Sequence, residues 1–244
     1  KSLYSPAKLL KNKMDAPASG QKLELEILLV DDDARNRMLI KDCLEIDLHR
    51  VTEAANPQEA LKYLETKRYD GIISDKEMPE DGNPQSAIKE RTGLVFLERV
   101  SKDYPLTPVM MMSGNWQARE EEEVIYKGAI RTLTKPFLEM VKTIRGFPAD
   151  FTAYNARPFI LVVDDEELIR DLIKDMLSDT KQYRIVTAGS GKAAMEKIER
   201  YGAPHLMLTD IAMAGGDGIE LVEDYRERNH SGVVYAMSGV FNQQ

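Results

Sequence analysis

The sequence predicts an α/β protein made of two tandem, doubly wound parallel-sheet domains, the second lacking its last strand and helix. Three observations carry that expectation. The segment Ile27-Leu-Leu-Val-Asp-Asp-Asp-Ala-Arg-Asn-Arg37 recurs without a gap as Ile160-Leu-Val-Val-Asp-Asp-Glu-Glu-Leu-Ile-Arg170, an offset of 133 residues. A period this long signals repeated domains rather than a solenoid. The apolar runs that open each copy lack polar alternation, as strands buried on both faces of a parallel sheet do. Helical-period stretches then follow: Met38, Leu39, Ile40 and Leu44 in the first copy, and Leu168, Ile169, Leu172, Ile173, Met176 and Leu177 in the second.

Taken in order, the strands of the first copy are expected near 25–30, 50–53, 70–74, 108–112 and 130–134. Those of the second are expected near 159–163, 184–187, 205–209 and 233–237. Two later matches support the pairing of the copies. Gly71-Ile-Ile-Ser-Asp75 corresponds to Leu206-Met-Leu-Thr-Asp210, and Val109-Met-Met-Met-Ser-Gly114 to Val234-Tyr-Ala-Met-Ser-Gly239. Between the copies, Gly146, Pro148 and Pro158 break the helical pattern, which places a linker at 147–157. The expected organisation is therefore a basic segment or upstream tail at 1–22, a first domain at 23–146, the linker, and a second domain at 158–244. The first domain carries an insertion at 80–91, where the second has only Gly215 and Gly216. Such an insertion is either a tolerated surface loop or a partner-selective rim.

The formal charge is −8, from 33 Lys plus Arg against 41 Asp plus Glu. Residues 1–22 carry +4 of that balance, so the remainder is acidic, and direct nucleic-acid binding is not expected. The longest apolar runs fall far short of the roughly 20 residues of a membrane-spanning helix, so no membrane partner is expected and a cytoplasmic location is. The one cysteine, Cys43, lies at helical spacing among Leu39, Ile40 and Leu44 and reads as a small buried hydrophobe.

Ligands of open parallel sheets bind at the carboxyl ends of the strands. In the first copy those ends carry Asp31, Asp32, Asp33, Asp75, Ser113 and Lys135. Carboxylates gathered at one edge repel unless a cation neutralises them, and an oxygen-only cluster with few protein ligands suits Mg2+. An aspartate beside that ion, with an amine and a hydroxyl able to hold phosphoryl oxygens, describes a nucleophile that accepts a phosphoryl group as an acyl phosphate. Individual residues have plainer readings. Asp33 and Glu166 could cap the following helices, Ser-Gly and Lys135-Pro136 could be ordinary turns, and Glu120–Glu123 reads as a solvated first helical turn. The methionine run 110–112 reads as buried strand, and His49, His205 and His230 as surface or structural residues rather than phosphodonors.

The ordered set Val30-Asp31-Asp32, Asp75-Lys-Glu-Met78-Pro79, Met112-Ser113-Gly114 and Lys135-Pro136-Phe137 is followed by Val163-Asp164-Asp165, Asp210-Ile-Ala-Met213 and Met237-Ser238-Gly239. This set resembles the receiver domain of two-component response regulators, across residues 24–146 and partly across 158–244. The resemblance implies a flavodoxin-like fold for both domains. It implies that Asp75 and Asp210 take a phosphoryl group from a histidine kinase or a histidine phosphotransfer protein in a phosphorelay. It further implies that Asp32 and Asp165, the acceptor aspartates and the main-chain carbonyls of Glu77 and Ala212 ligate Mg2+, with Asp31 and Asp164 acting mainly through water. Ser113 and Ser238 would bond a phosphoryl oxygen and reorient, and Lys135 would pair with the phosphate. Self-phosphorylation, slow autophosphatase activity, switched protein contacts and a homodimer through receiver faces belong to the same expectation.

The second copy departs from the pattern. Ala214 stands where a proline is expected, and no lysine follows Ser238. Acylation is accordingly expected to be faster at Asp75 than at Asp210. Two other functions compete: a pseudo-receiver that binds partners without phosphorylation, above all in the second domain, and a haloacid-dehalogenase-like phosphatase suggested by the Asp31-x-Asp33 pair. The second copy, which reads Asp164-Asp165-Glu166, speaks against the phosphatase. Trp116, the only tryptophan, lies in the loop expected to move with Ser113. The stretch Lys1 to Leu10 is similar to the final-helix region of a receiver, with Leu9, Leu10 and Met14 as its apolar face; it is either an upstream receiver's tail or an amphipathic docking segment.

Overall fold

A computed structural model describes residues 24–79, 92–137, 139–213 and 218–237. The chain forms two units that divide between Ala156 and Arg157. The first contains β1 (Glu26–Val30), α1 (Ala34–Glu45), β2 (Arg50–Ala54), α2 (Pro57–Thr66), β3 (Gly71–Asp75), α3 (Thr92–Asp103), β4 (Val109–Ser113), α4 (Glu120–Tyr126), β5 (Ala129–Thr134) and α5 (Met140–Asn155). Its sheet is parallel, with strand order β2-β1-β3-β4-β5. The strands lie where the sequence places them, but five reach one residue further than expected, three of them onto a candidate site residue. Asp75, Ser113 and, in the second unit, Asp210 are thus the last residues of their strands rather than the first of the loops.

Strand residues alternate between two core layers, the period-2 signature of a sheet covered on both faces. Met111 joins Leu28, Val30 and Ile72 under Leu94 and Leu97 of α3. Met110 and Met112 join Ile27, Leu29 and Ile73 under Ile40 and Leu44 of α1 and the buried face of α5. Cys43 belongs to this second layer and is buried, as expected. Helix starts are locally encoded. Asp33 accepts the N–H of Arg35 at the head of α1. At α2, Asn56 accepts from Glu59 N while Glu59 accepts from Ala55 N, and Pro57 occupies the first turn, where its missing N–H costs nothing. Gly93 has a specific steric cause: a Cβ there would lie 2.3 Å from the carbonyl oxygen of Asp75, so α3 can start against the end of β3 only with glycine.

The linker expected at 147–157 is corrected by the structure, since α5 runs through Pro148 to Asn155. Proline inside a helix removes one backbone hydrogen bond and costs about 3 kcal/mol. Ile144, Phe147 and Phe151 recur at helical spacing and are fully buried against the sheet. Burying one such side chain contributes about 1.5–3 kcal/mol, so the three together outweigh the proline. The Phe151 ring fills the space beside Gly71, where an added Cβ would lie 2.4 Å from it. Thr152 Oγ1 donates to Pro148 O at 2.8 Å, and Asn155 Nδ2 ties the helix end to Asp70 O at 2.8 Å.

The second unit contains β6 (Phe159–Val163), α6 (Glu167–Ser178), β7 (Arg184–Ala188), α7 (Gly191–Tyr201), β8 (Leu206–Asp210), α8 (Gly218–Glu227) and β9 (Val233–Met237). Its sheet is also parallel, in the order β7-β6-β8-β9. Gly218 repeats the role of Gly93, with an added Cβ only 2.0 Å from Asp210 O. One difference follows from packing. The apolar face of α1 is covered by α5, whereas Leu168, Leu172 and Met176 of α6 are 77%, 55% and 66% exposed. Among the described residues no element of the second unit takes the place of α5. The histidines are structural where they are placed: Nδ1 of His49 accepts from Leu25 N at 3.2 Å and Nδ1 of His205 from Phe159 N at 3.1 Å. No helix among the described residues is long and apolar enough to cross a membrane. Ser238, Ala214, the insertion 80–91 and the segment 1–22 lie outside the described residues.

The covered α5 makes a direct prediction. Phe151→Ala lowers the unfolding free energy of the first unit by about 3–5 kcal/mol, the cost of emptying a buried aromatic site. A urea titration checks this, and an unchanged midpoint would return residues 147–157 to the status of a linker.

Candidate functional site

The register of the sheet brings the candidate residues to one edge. Val30 pairs with Ser74, Asp75 with Met112, and Ser113 with Thr134, so the chain leaves β1, β3, β4 and β5 side by side. This edge includes the point between β1 and β3 where the winding of the sheet reverses, the usual position of a ligand cleft in such folds.

The three consecutive aspartates after β1 take three different environments. Asp31 is fully buried, and its Oδ1 accepts from Asp33 N at 2.8 Å. Asn36 Nδ2 approaches Asp31 Oδ2 at 3.3 Å, and Arg37 Nη1 donates to the main-chain oxygen of Asp31 at 2.6 Å. Asp32 is half-buried and borders the cleft. Asp33 turns to cap α1 and pairs with Arg35, whose side-chain and backbone hydrogen bonds hold its carboxyl below the usual range. The helix-cap reading of Asp33 is correct, and this removes the basis for the phosphatase alternative. Glu166, at the same place in the second unit, makes no side-chain cap.

Asp75 is buried at the end of β3, where Lys76 N donates to its Oδ1 at 2.9 Å. Lys135 Nζ lies 3.1 Å from Asp75 Oδ2 and 3.2 Å from Asp31 Oδ2. Its backbone is fixed by Lys135 N donating to Ser113 O at 2.7 Å, just before a cis peptide to Pro136. Burial pushes the Asp75 carboxyl up to about 6, the Lys135 charge opposing and the Asp31 charge adding to the rise. The Lys135 ammonium is raised: burial works against it, but the Asp75 and Asp31 carboxylates prevail.

One carboxylate oxygen from each of Asp31, Asp32 and Asp75 lies within 4.8 Å of the others. The cleft above them, about 510 Å³, is also lined by Glu77, Gly114 and Lys135. An all-oxygen, partly buried set of this kind fits a hard divalent cation that keeps several waters. Ser113 is fully buried beside Gly114 of the cleft lining, its Oγ donating to Asn115 O at 2.9 Å and accepting from Asn115 N at 3.0 Å. Trp116 is partly buried, with Nε1 donating to Leu133 O at 3.2 Å.

The second unit repeats the cluster in a more open form. Oxygens of Asp164, Asp165 and Asp210 also lie within 4.8 Å of one another, with Asp164 buried, Asp165 exposed and Asp210 half-buried. Glu166 N donates to Asp164 Oδ1 and Ala212 N to Asp210 Oδ1. Among the described residues no lysine or arginine forms an ion pair with Asp210.

Sequence reasoning missed two groups. Arg37 and Arg170 close the repeated segment, and each donates to the main-chain oxygen of the first acid, at 2.6 Å and 2.7 Å. Their repetition was the available signal. Lys76 is buried, pairs with Glu120 at 2.8 Å and is the second group; Glu120 is accordingly drawn inward and is not part of a wholly solvated turn.

The raised Asp75 carboxyl sets a pH dependence. Between about pH 4 and pH 6 the unfolded aspartate ionises while the folded one holds its proton, so stability falls as pH rises through this window. Asp75→Asn escapes that loss. In EDTA the variant should match wild type near pH 4 and exceed it by on the order of 2–3 kcal/mol near pH 7. Denaturant titrations across pH measure the difference, and a gap that does not change with pH would contradict the assignment.

Comparison with known proteins agrees with this geometry. The response regulator receiver domain model matches residues 27–144 and again 160–244. The transcriptional regulatory protein SrrA of Staphylococcus aureus is 32% identical over 112 residues, 46% of this chain and 42% of that protein. The chain spans between 22% and 42% of the lengths of such relatives. Among solved structures, the chemotaxis response regulator CheY4 of Vibrio cholerae is 27% identical with a TM-score of 0.45, covering 53% of this chain and 99% of CheY4. The receiver domain of the Francisella response regulator 1452 is 26% identical with a TM-score of 0.44, covering 53% of this chain and 98% of that domain. With the family model matching most of its length in two consecutive segments, the chain belongs to the response regulator receiver family, the proteins of two-component signalling.

Proposed function

We propose that the first unit is a phosphoacceptor in which Asp75 takes a phosphoryl group from a phosphohistidine, on a histidine kinase or a histidine phosphotransfer protein, and so switches protein contacts. The single observation that carries this reading is the Lys135 ammonium held 3.1 Å from Asp75 and 3.2 Å from Asp31 at a cleft of clustered carboxylates. An Asp75 carboxylate oxygen attacks phosphorus, the O–P bond forms as the P–N bond breaks, and the imidazole leaves. Asp31, Asp32, Asp75 and the main-chain carbonyl of Glu77 would hold Mg2+. Bound there, the ion supplies positive charge against the phosphoryl oxygens. Lys135 keeps its ammonium at the acceptor and follows the transferred group, while Asp31 holds the lysine in place. The Ser113 hydroxyl leaves Asn115 O to bond a phosphoryl oxygen. A cytoplasmic setting and assembly through receiver faces belong to the same proposal.

For the second unit, Asp210 with Asp164, Asp165, the Ala212 carbonyl and Ser238 supports the same chemistry at a lower rate. The acids of this unit are more exposed than those of the first, and among the described residues Asp210 has no ion pair.

The test is labelling by phosphoramidate with Mg2+, followed by borohydride trapping and mass spectrometry. Label is expected at Asp75 and absent from that site in Asp75→Asn. Lys135→Met should slow labelling about 100-fold or more, the typical cost of removing one preorganised charge from such a site. Total labelling that is unchanged in Asp75→Asn would overturn the reading.

A further inference from the structure

Lys76 follows the acceptor aspartate directly, yet its side chain is only 6% exposed. It carries a charge into the interior, which is costly unless that charge is closely paired. Its Nζ donates to Asn115 O at 2.8 Å and to Glu120 Oε2 at 2.8 Å, and lies 3.2 Å from Glu77 Oε1. The same ammonium stands 5.1 Å from the centroid of the Trp116 ring, within cation–π range. Glu120 Oε2 in turn accepts from Gln117 N at 2.9 Å. The β4–α4 loop is thus gripped at Asn115 O, at the Trp116 ring and at Gln117 N by the side chain that directly follows β3 and that side chain's partner.

We propose that Lys76 is a positioning residue, a buried latch through which the state of Asp75 is transmitted to the β4–α4 loop and the start of α4. The proposal rests on the phosphoacceptor reading of Asp75. Two contacts make the link. The main-chain N–H of Lys76 donates to Asp75 Oδ1, a charge-assisted bond that weakens when the carboxylate becomes an acyl phosphate. Asn115 O receives two donors, the Lys76 ammonium and the Ser113 hydroxyl. When Ser113 turns toward a phosphoryl oxygen, Lys76 keeps its hold on that carbonyl, so the hydroxyl leaves while the loop stays tied to the end of β3. The second unit has Ile211 at the position of Lys76 and cannot form such a latch.

Trp116 reports the loop and mass spectrometry reports the acceptor, so the two can be read separately in the full chain. In wild type, Mg2+ with beryllofluoride should change Trp116 fluorescence, and phosphoramidate should label Asp75. In Lys76→Met, which keeps the bulk and removes the charge, labelling should stay within threefold of wild type while the fluorescence change falls by at least half. Lys76→Arg should restore most of it. Glu120→Gln, which removes one partner of the latch, should give an intermediate loss and serves where Lys76→Met fails to fold. A residue that is merely structural would lower Tm and leave the beryllofluoride response intact, and that result overturns the latch. Absence of Asp75 label in wild type is a different failure: it removes the phosphoacceptor reading, and the latch with it.

Discussion

Three carboxylates held within 4.8 Å of one another at the end of a parallel sheet constitute an electrostatic problem that the first unit is built around. Asp31 and Asp75 cannot move apart, because β1 and β3 are paired up to Val30 and Ser74 and both side chains are buried. Among the described residues, the cation that reaches both, Lys135, follows the end of β5, two strands beyond β3 in the sheet order. Much of the local structure fixes this arrangement. Arg37 and Asn36 orient Asp31, Asp33 starts α1, and Gly93 lets α3 close onto the last peptide of β3. Charge that is incompletely neutralised at rest is what gives such a site affinity for a divalent cation and reactivity toward a phosphoryl group.

The second unit shows how much of this depends on packing beyond the motif. It repeats the acids, the supporting arginine and the glycine behind the acceptor strand. In the first unit, however, α5 covers α1, and β5 delivers Lys135. Where neither counterpart is described, the helix after the first strand keeps Leu168, Leu172 and Met176 exposed, and the acid cluster is more open. Two nearly identical acidic motifs therefore occupy different electrostatic environments.

The strands and the acid clusters were legible in the sequence because they rest on short apolar runs and on a repeat that alignment of the chain with itself exposes, whereas the flavodoxin-like fold came only with the family resemblance. The path of α5 was not. Gly146 and Pro148 are strong local signals for a break, and only the depth of the groove that takes Phe147 and Phe151 outweighs them. Lys76 was missed for a related reason: beside an aspartate at a strand end, a lysine reads as solvated charge, and its burial depends on Glu120 and Asn115, some 40 residues away in the chain. His49 and His205 read as surface or structural residues, but their specific task, accepting the N–H of Leu25 and of Phe159, exists only in the folded sheet.

Asp75 is held at the edge of ionisation by burial beside Asp31, with Lys135 as a shared counter-charge. The most direct measurement is an NMR titration of the side-chain carboxyl carbons of the first unit's aspartates, first with divalent ions chelated and then with Mg2+ added. An apparent pKa of about 6 for Asp75, moving down when Mg2+ is present, is the result expected. A value near the ordinary aspartate range of about 4, unmoved by Mg2+, would contradict it.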